Sequence, residues 1–100
     1  MIRHIVMFKL VELAAPSEKQ AKMQEIKTRL EALKDKITWL HKIEVSFNVN
    51  PAETWDLILT TEVQSLKELS AYANHPAHVE VAKNVIAPVK AERACVDYEF

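Results

Sequence analysis

Among the side chains of the kind that move protons at carbonyl compounds, four stand out: His4, Tyr72, His75 and His78. An imidazole that titrates near neutral pH can remove an acidic proton from a carbon between two carbonyls, while a phenol donates a hydrogen bond to the enolate oxygen that develops. Enolisation or aldol closure of this kind requires no cofactor. His4 alternates with Ile2, Val6 and Phe8, whereas Tyr72 and His78 flank the segment Asn74-His75-Pro76 in a helical stretch. If the first segment is a strand roofed by those helices, His4, Tyr72 and His78 converge on one cavity. A structural role competes with the chemical one and is favoured by residue type alone. Histidines around a proline turn commonly satisfy backbone groups, a tyrosine packs its ring with the hydroxyl at the rim, and His4 can be a hydrogen-bonded core histidine.

Other chemistries find less support. His75 and His78, three apart, could share a face as metal ligands, but Pro76 disturbs the local geometry and no nearby Cys or carboxylate completes the set, so no metal is expected. Neither a phosphate-cradling glycine loop nor an axial-ligand motif occurs, so no cofactor is expected. Trp39 and Trp55 flank the second and third strand segments and read as core or dimer-rim anchors rather than as a ligand cage.

The elements that must position these residues are legible from periodicity. Residues 2 to 10 form a strand with Ile2, His4, Val6, Phe8 and Leu10 on one face. Ser17 and Gln20 have capping-box spacing, which predicts a helix start, and Met23, Ile26, Leu30, Leu33 and Ile37 give it one apolar stripe. Ile43, Val45, Phe47 and Val49 alternate as a second strand, Asn50-Pro51 turns the chain, and Trp55, Leu57, Leu59 and Thr61 alternate as a third. Ser65 and Glu68 repeat the capping spacing before a helix carrying Leu66, Leu69, Tyr72 and Ala73 on one side. Pro76 opens a further helical piece with Val79, Ala82, Val85 and Ile86, which Pro88 bends or ends. Ala94, Val96, Tyr98 and Phe100 then alternate as a fourth strand. Glycine is absent, so Asn48, Asn50, Asn74 and Asn84 are expected wherever positive φ is needed.

The result is an α+β domain spanning 1–100, of split βαββαβ order, with a four-stranded antiparallel sheet and helices on one face. If the oilier faces meet the helices, the reverse of the sheet carries Arg3, Ile5, Met7, Glu44, Ser46, Ile58, Thr60, Cys95 and Asp97. That face is too apolar for water and too polar for a dry core, which predicts a homodimer of face-to-face sheets. Thirteen basic and fourteen acidic side chains leave a net charge of −1, which argues against a nucleic-acid partner. No apolar run can cross a bilayer, and the amino-terminal segment lacks the parts of a secretory signal. With a lone Cys95, a cytoplasmic location is expected.

Residues 1–10, the run Tyr72-Ala73-Asn74-His75-Pro76-Ala77-His78 and the closing Val96-Asp97-Tyr98 resemble the stress-responsive dimeric A/B-barrel domain family over nearly the whole chain. The resemblance implies a ferredoxin-like subunit and an eight-stranded barrel formed by two subunits. Many members are small stress-associated or accessory proteins with no assigned reaction. A plant member closes a linear polyketide by aldol condensation, in a pocket between sheet and helices. Its base and phenol correspond to His78 and Tyr72 here, and His4 matches a pocket-lining histidine. The first helix and third strand depart from that enzyme, and with them the pocket walls. The expectation is therefore a homodimeric accessory or small-ligand-binding protein taking an apolar or carbonyl-containing ligand at His4, Tyr72, His75 and His78. The alternative is a cofactor-free cyclase-like or enolising enzyme.

Overall fold

A computed structural model describes residues 1–100. The chain runs β1 (Ile2–Leu10), α1 (Pro16–Glu31), α2 (Leu33–Lys36), β2 (Lys42–Phe47), β3 (Leu57–Val63), α3 (Leu66–Ala73), α4 (Pro76–Val81), one π-helical turn (Ala82–Ile86) and β4 (Lys90–Glu99). The four strands form one antiparallel sheet in the order β2-β3-β1-β4. The predicted stripe of α1 holds: Met23, Ile26 and Leu30 are buried, and Leu33 and Ile37 extend it beyond Glu31. Against it lie Val6, Phe8 and Leu10 of β1, Val45 of β2, and Leu57, Leu59 and Val63 of β3. No helix is long and apolar enough to cross a membrane.

The two capping expectations part company. Helix α1 starts one residue earlier than Ser17, with Ala15 as its N-cap and no side-chain cap. The physical reason is Pro16, whose ring presets the helical φ and whose missing N–H needs no partner at the first position. Ser17 thus falls inside the first turn. At α3 the serine cap forms: Ser65 Oγ accepts from the Glu68 N–H at 3.2 Å, while Glu68 Oε1 reaches one residue past the N-cap and accepts from the Gln64 N–H at 2.9 Å. Ser65→Ala should therefore cost about 1 kcal/mol in urea unfolding, whereas Ser17→Ala should stay within about 0.5 kcal/mol of wild type. Equal effects at both sites would contradict this assignment.

No residue adopts positive φ, so the expected role for the asparagines is corrected. Asn48 and Asn50 instead build the turn with their side chains, accepting from the N–H groups of Asn50 at 2.8 Å and Ala52 at 3.0 Å. In the helical layer Val79 is exposed and Val81 is buried in its place, and Leu66 is exposed. Trp39 and Trp55 are both outside the core; Trp55 borders a shallow recess with Met7 and Phe47.

The fourth strand carries the most consequential correction. Directly opposed residues of an antiparallel pair point to the same side, and the register sets His4 against Asp97 and Val6 against Cys95. Cys95 and Asp97 therefore face the helices, and not the reverse of the sheet. The pairs Arg3–Tyr98 and Ile5–Val96 put the apolar side chains of β4 on the reverse face. There Val96 is 62%, Tyr98 41% and Phe100 49% exposed. Arg3 ties that corner together, donating to Tyr98 Oη at 2.9 Å and Glu62 Oε2 at 3.0 Å, with its guanidinium carbon 3.9 Å from the Phe100 ring centre. Apolarity was a poor guide because β4 is an edge strand: its inner side borders a cavity instead of the core.

Candidate active site

A cavity of about 500 Å³ lies between the inner faces of β1 and β4 and the helices α3 and α4. Its depth is apolar, with Phe8, Leu30, Leu59 and Ile86, and its polar groups gather toward the β4 edge. The break between α3 and α4 shapes it. Asn74 ends α3, His75 is the extended N-cap of α4 with Nδ1 accepting from the Ala77 N–H at 3.1 Å, and Pro76 holds the first helical position. Tyr72 in the last turn of α3 and His78 in the first turn of α4 consequently face one another, ring centres 4.5 Å apart. His4 rises from β1 with its ring centre 6.3 Å from that of Tyr72, edge to face.

Three of the four residues singled out in the sequence thus meet, and His75 does not. Its side chain is a helix cap and does not line the cavity, which also separates it from His78 as a ligand pair. Sequence reasoning missed Lys90, Arg93, Cys95 and Asp97 as lining residues. Only the β1–β4 register exposes them.

The protonation pattern follows from hydrogen bonding and burial. His78 Nδ1 lies 2.9 Å from the Ala73 carbonyl oxygen. A carbonyl can only accept, so Nδ1 carries the hydrogen and Nε2 keeps a free lone pair. Burial pushes the His78 pKa below the ordinary histidine value; the bond to Ala73 opposes this, and the charges of His4, Arg93 and His75 add to it. His78 is therefore a neutral imidazole at pH 7. Tyr72 is 1% exposed, and burial pushes its phenol up to about 12, so it remains a donor across the physiological range. The Thr61 hydroxyl pulls slightly the other way. Even so, the two hydroxyls do not reach hydrogen-bonding geometry, and each is buried without a partner.

His4 Nδ1 lies 2.5 Å from Asp97 Oδ1, so the carboxylate orients the ring and leaves Nε2 unpaired. Cys95 Sγ stands 3.4 Å from the same Nδ1 and 3.6 Å from Asp97 Oδ1. Burial, seconded by Asp97, pushes the thiol pKa up, so Cys95 stays protonated. A Cys-His-Asp relay needs thiol and carboxylate on opposite imidazole nitrogens; here both crowd one. The donor atoms of His4, Cys95 and Asp97 lie within 4.8 Å of one another, and a cation would enter only if the Asp97 bond to Nδ1 opened.

An antiparallel sheet of order 2-3-1-4, roofed on one side by helices with a small-molecule-sized cavity between, defines a ferredoxin-like subunit. Its sequence matches the stress responsive A/B barrel domain over residues 2–100, and the chain belongs to that family. Among solved structures, a dimeric protein of unknown function and ferredoxin-like fold from Bacteroides fragilis is 45% identical, with TM-score 0.91 over 99% of this chain and 95% of that one. A dimeric ferredoxin-like protein of unknown function from Thermobifida fusca is 24% identical, with TM-score 0.82 over 99% and 90%. The hydroxynitrile lyase from Passiflora edulis is 16% identical, with TM-score 0.80 over 97% and 90%, a likeness of fold alone. No curated protein sequence matches the chain.

Proposed function

We propose that this domain binds a small carbonyl compound in the cavity and catalyses cofactor-free proton transfer at the carbon next to the carbonyl. The observation that carries the proposal is the Tyr72 hydroxyl: a buried donor with no protein partner, on a side chain that lines the cavity and packs its ring against His78. Native proteins rarely leave such a group unpaired, because its desolvation is uncompensated. A ligand oxygen would satisfy it.

In this reading His78 Nε2 takes the proton from the carbon, and the released electron pair moves onto the carbonyl oxygen. Tyr72 donates its hydrogen bond to that oxygen as negative charge develops. The imidazolium then returns the proton to carbon or to the oxygen. Asp97 holds His4 in one orientation on the opposite wall, where its Nε2 can contact the same ligand. Binding without turnover is the second reading, favoured by the fact that His4 and His78 each commit one nitrogen to a structural bond. Deuterium uptake separates the two. Methyl 3-oxooctanoate in D2O should exchange its C2 hydrogens faster with protein than in buffer, by NMR; exchange at the buffer rate in the presence of bound ester leaves only the binding role.

The reverse face of the sheet supports a homodimer. Val96, Tyr98 and Phe100 leave an apolar strip there in a single chain, and the Bacteroides and Thermobifida proteins are described as dimeric. Val96→Asp removes no core contact and should convert a dimer to a folded monomer in sedimentation velocity. A wild-type monomer at micromolar concentration would exclude this face as an interface.

A further inference from the structure

The reverse side of the register correction is a pair of exposed cations at the β4 edge of the cavity. Lys90, Arg93, Cys95 and Asp97 all stand on the inner side of β4. Asp97 is the only carboxylate on the cavity wall, and it is held by His4. Arg93 and Lys90 make no ion pair with any carboxylate of the chain. The guanidinium is nonetheless close enough for its charge to act on both His78 and Cys95. The cavity therefore has an apolar depth, a donor and base at mid-height, and an uncompensated positive charge at the β4 edge.

Resting on the proton-transfer reading above, we infer that the compound bound here carries a carboxylate, held by Arg93 with Lys90 beside it, next to the carbonyl that meets Tyr72. The class that fits is a medium-chain 3-oxo acid. Its acyl tail matches the apolar wall of Phe8, Leu30, Leu59 and Ile86. Its ketone oxygen matches the unpartnered Tyr72 hydroxyl, and its C2 methylene, between the two carbonyl carbons, lies beside the His78 imidazole. The planar guanidinium suits a carboxylate because two parallel N–H groups can meet its two oxygens, a geometry a single ammonium lacks. A cavity of about 500 Å³ is in the range that encloses a ligand of this size.

Calorimetric titration with 3-oxooctanoate and with its neutral methyl ester tests the inference on the full chain. The acid should bind about tenfold tighter than the ester to wild type, the equivalent of one charge-assisted contact. That preference should fall to near parity in Arg93→Met and return in part in Arg93→Lys. Arg93 makes no ion pair within the chain and is exposed, so these variants should keep the wild-type circular dichroism spectrum and melting curve. His78→Asn should keep the preference, because the anchor does not depend on the base. Equal binding of acid and ester by wild type, an undiminished preference in Arg93→Met, or binding of neither compound would overturn the inference. A preference for the acid with no C2 exchange sinks the proton-transfer reading and leaves the anion site standing. Exchange of the ester with no preference for the acid does the reverse.

Discussion

Tyr72→Phe should raise the stability of the domain while removing its chemistry. The phenol ring is fully packed and the substitution keeps it, so no cavity opens in the core. What disappears is a buried hydroxyl without a partner, and an unsatisfied buried polar group costs about 1–3 kcal/mol. A gain of about 1 kcal/mol is expected, which for a chain of this size raises the melting temperature by about 4–8 °C. Catalysis should move the opposite way: loss of one donor to a developing oxyanion lowers turnover about 10²–10³-fold. Thermal unfolding and C2 deuterium exchange, measured on the same preparation, report both. A clear loss of stability would mean that the hydroxyl is already satisfied, by Thr61 or by water, and the argument for a ligand oxygen would fall.

His78→Asn is the second large effect. The asparagine amide can still donate toward the Ala73 carbonyl, so the start of α4 keeps its bond, but no titratable nitrogen remains. Exchange should fall about 10²–10⁴-fold, the usual contribution of a general base. Wild-type exchange should lose its acid limb below the ordinary histidine value of about 6.5, since burial holds the His78 pKa down. The same shift fixes a stability trend. Between the lowered folded value and the unfolded value, the unfolded chain binds the proton more tightly, so stability rises with pH through that window. It is fully present above the unfolded pKa and is lost as pH falls toward the folded one. Urea midpoints of wild type minus His78→Asn, taken from acid to neutral pH, should show this slope. A flat difference would indicate that the imidazole is as well solvated in the folded chain as in the unfolded one.

The two variants together distinguish a site from a scaffold. A purely structural His78 and Tyr72 would lose stability on substitution and leave ligand affinity unchanged. The expected pattern is the opposite for Tyr72, and for His78 a pH-dependent stability change with lost exchange. Strain of this kind, a polar group left unsatisfied in an otherwise matched core, is where a fold departs from its own stability rules in favour of function.

Much of this protein can be read from residue order. Period-two and helical spacing place β1 from Ile2, the α1 stripe of Met23, Ile26 and Leu30, and the break at His75-Pro76, because burial of one face forces those periods. Residue type also singles out His4, Tyr72 and His78. Three things were decided elsewhere. Pro16 displaced the Ser17 cap, a local competition that spacing does not arbitrate. The absence of any positive φ showed that a chain without glycine builds its turns from Asn48 and Asn50 side chains instead. Above all, the register of β4 on β1 turned Arg93, Cys95 and Asp97 toward the helices. A one-residue slip inverts every side chain of a strand, and on an edge strand with apolar residues on one side and a cavity on the other, hydrophobicity cannot choose between the two. Tertiary pairing made that choice, and with it set which charges face the cavity.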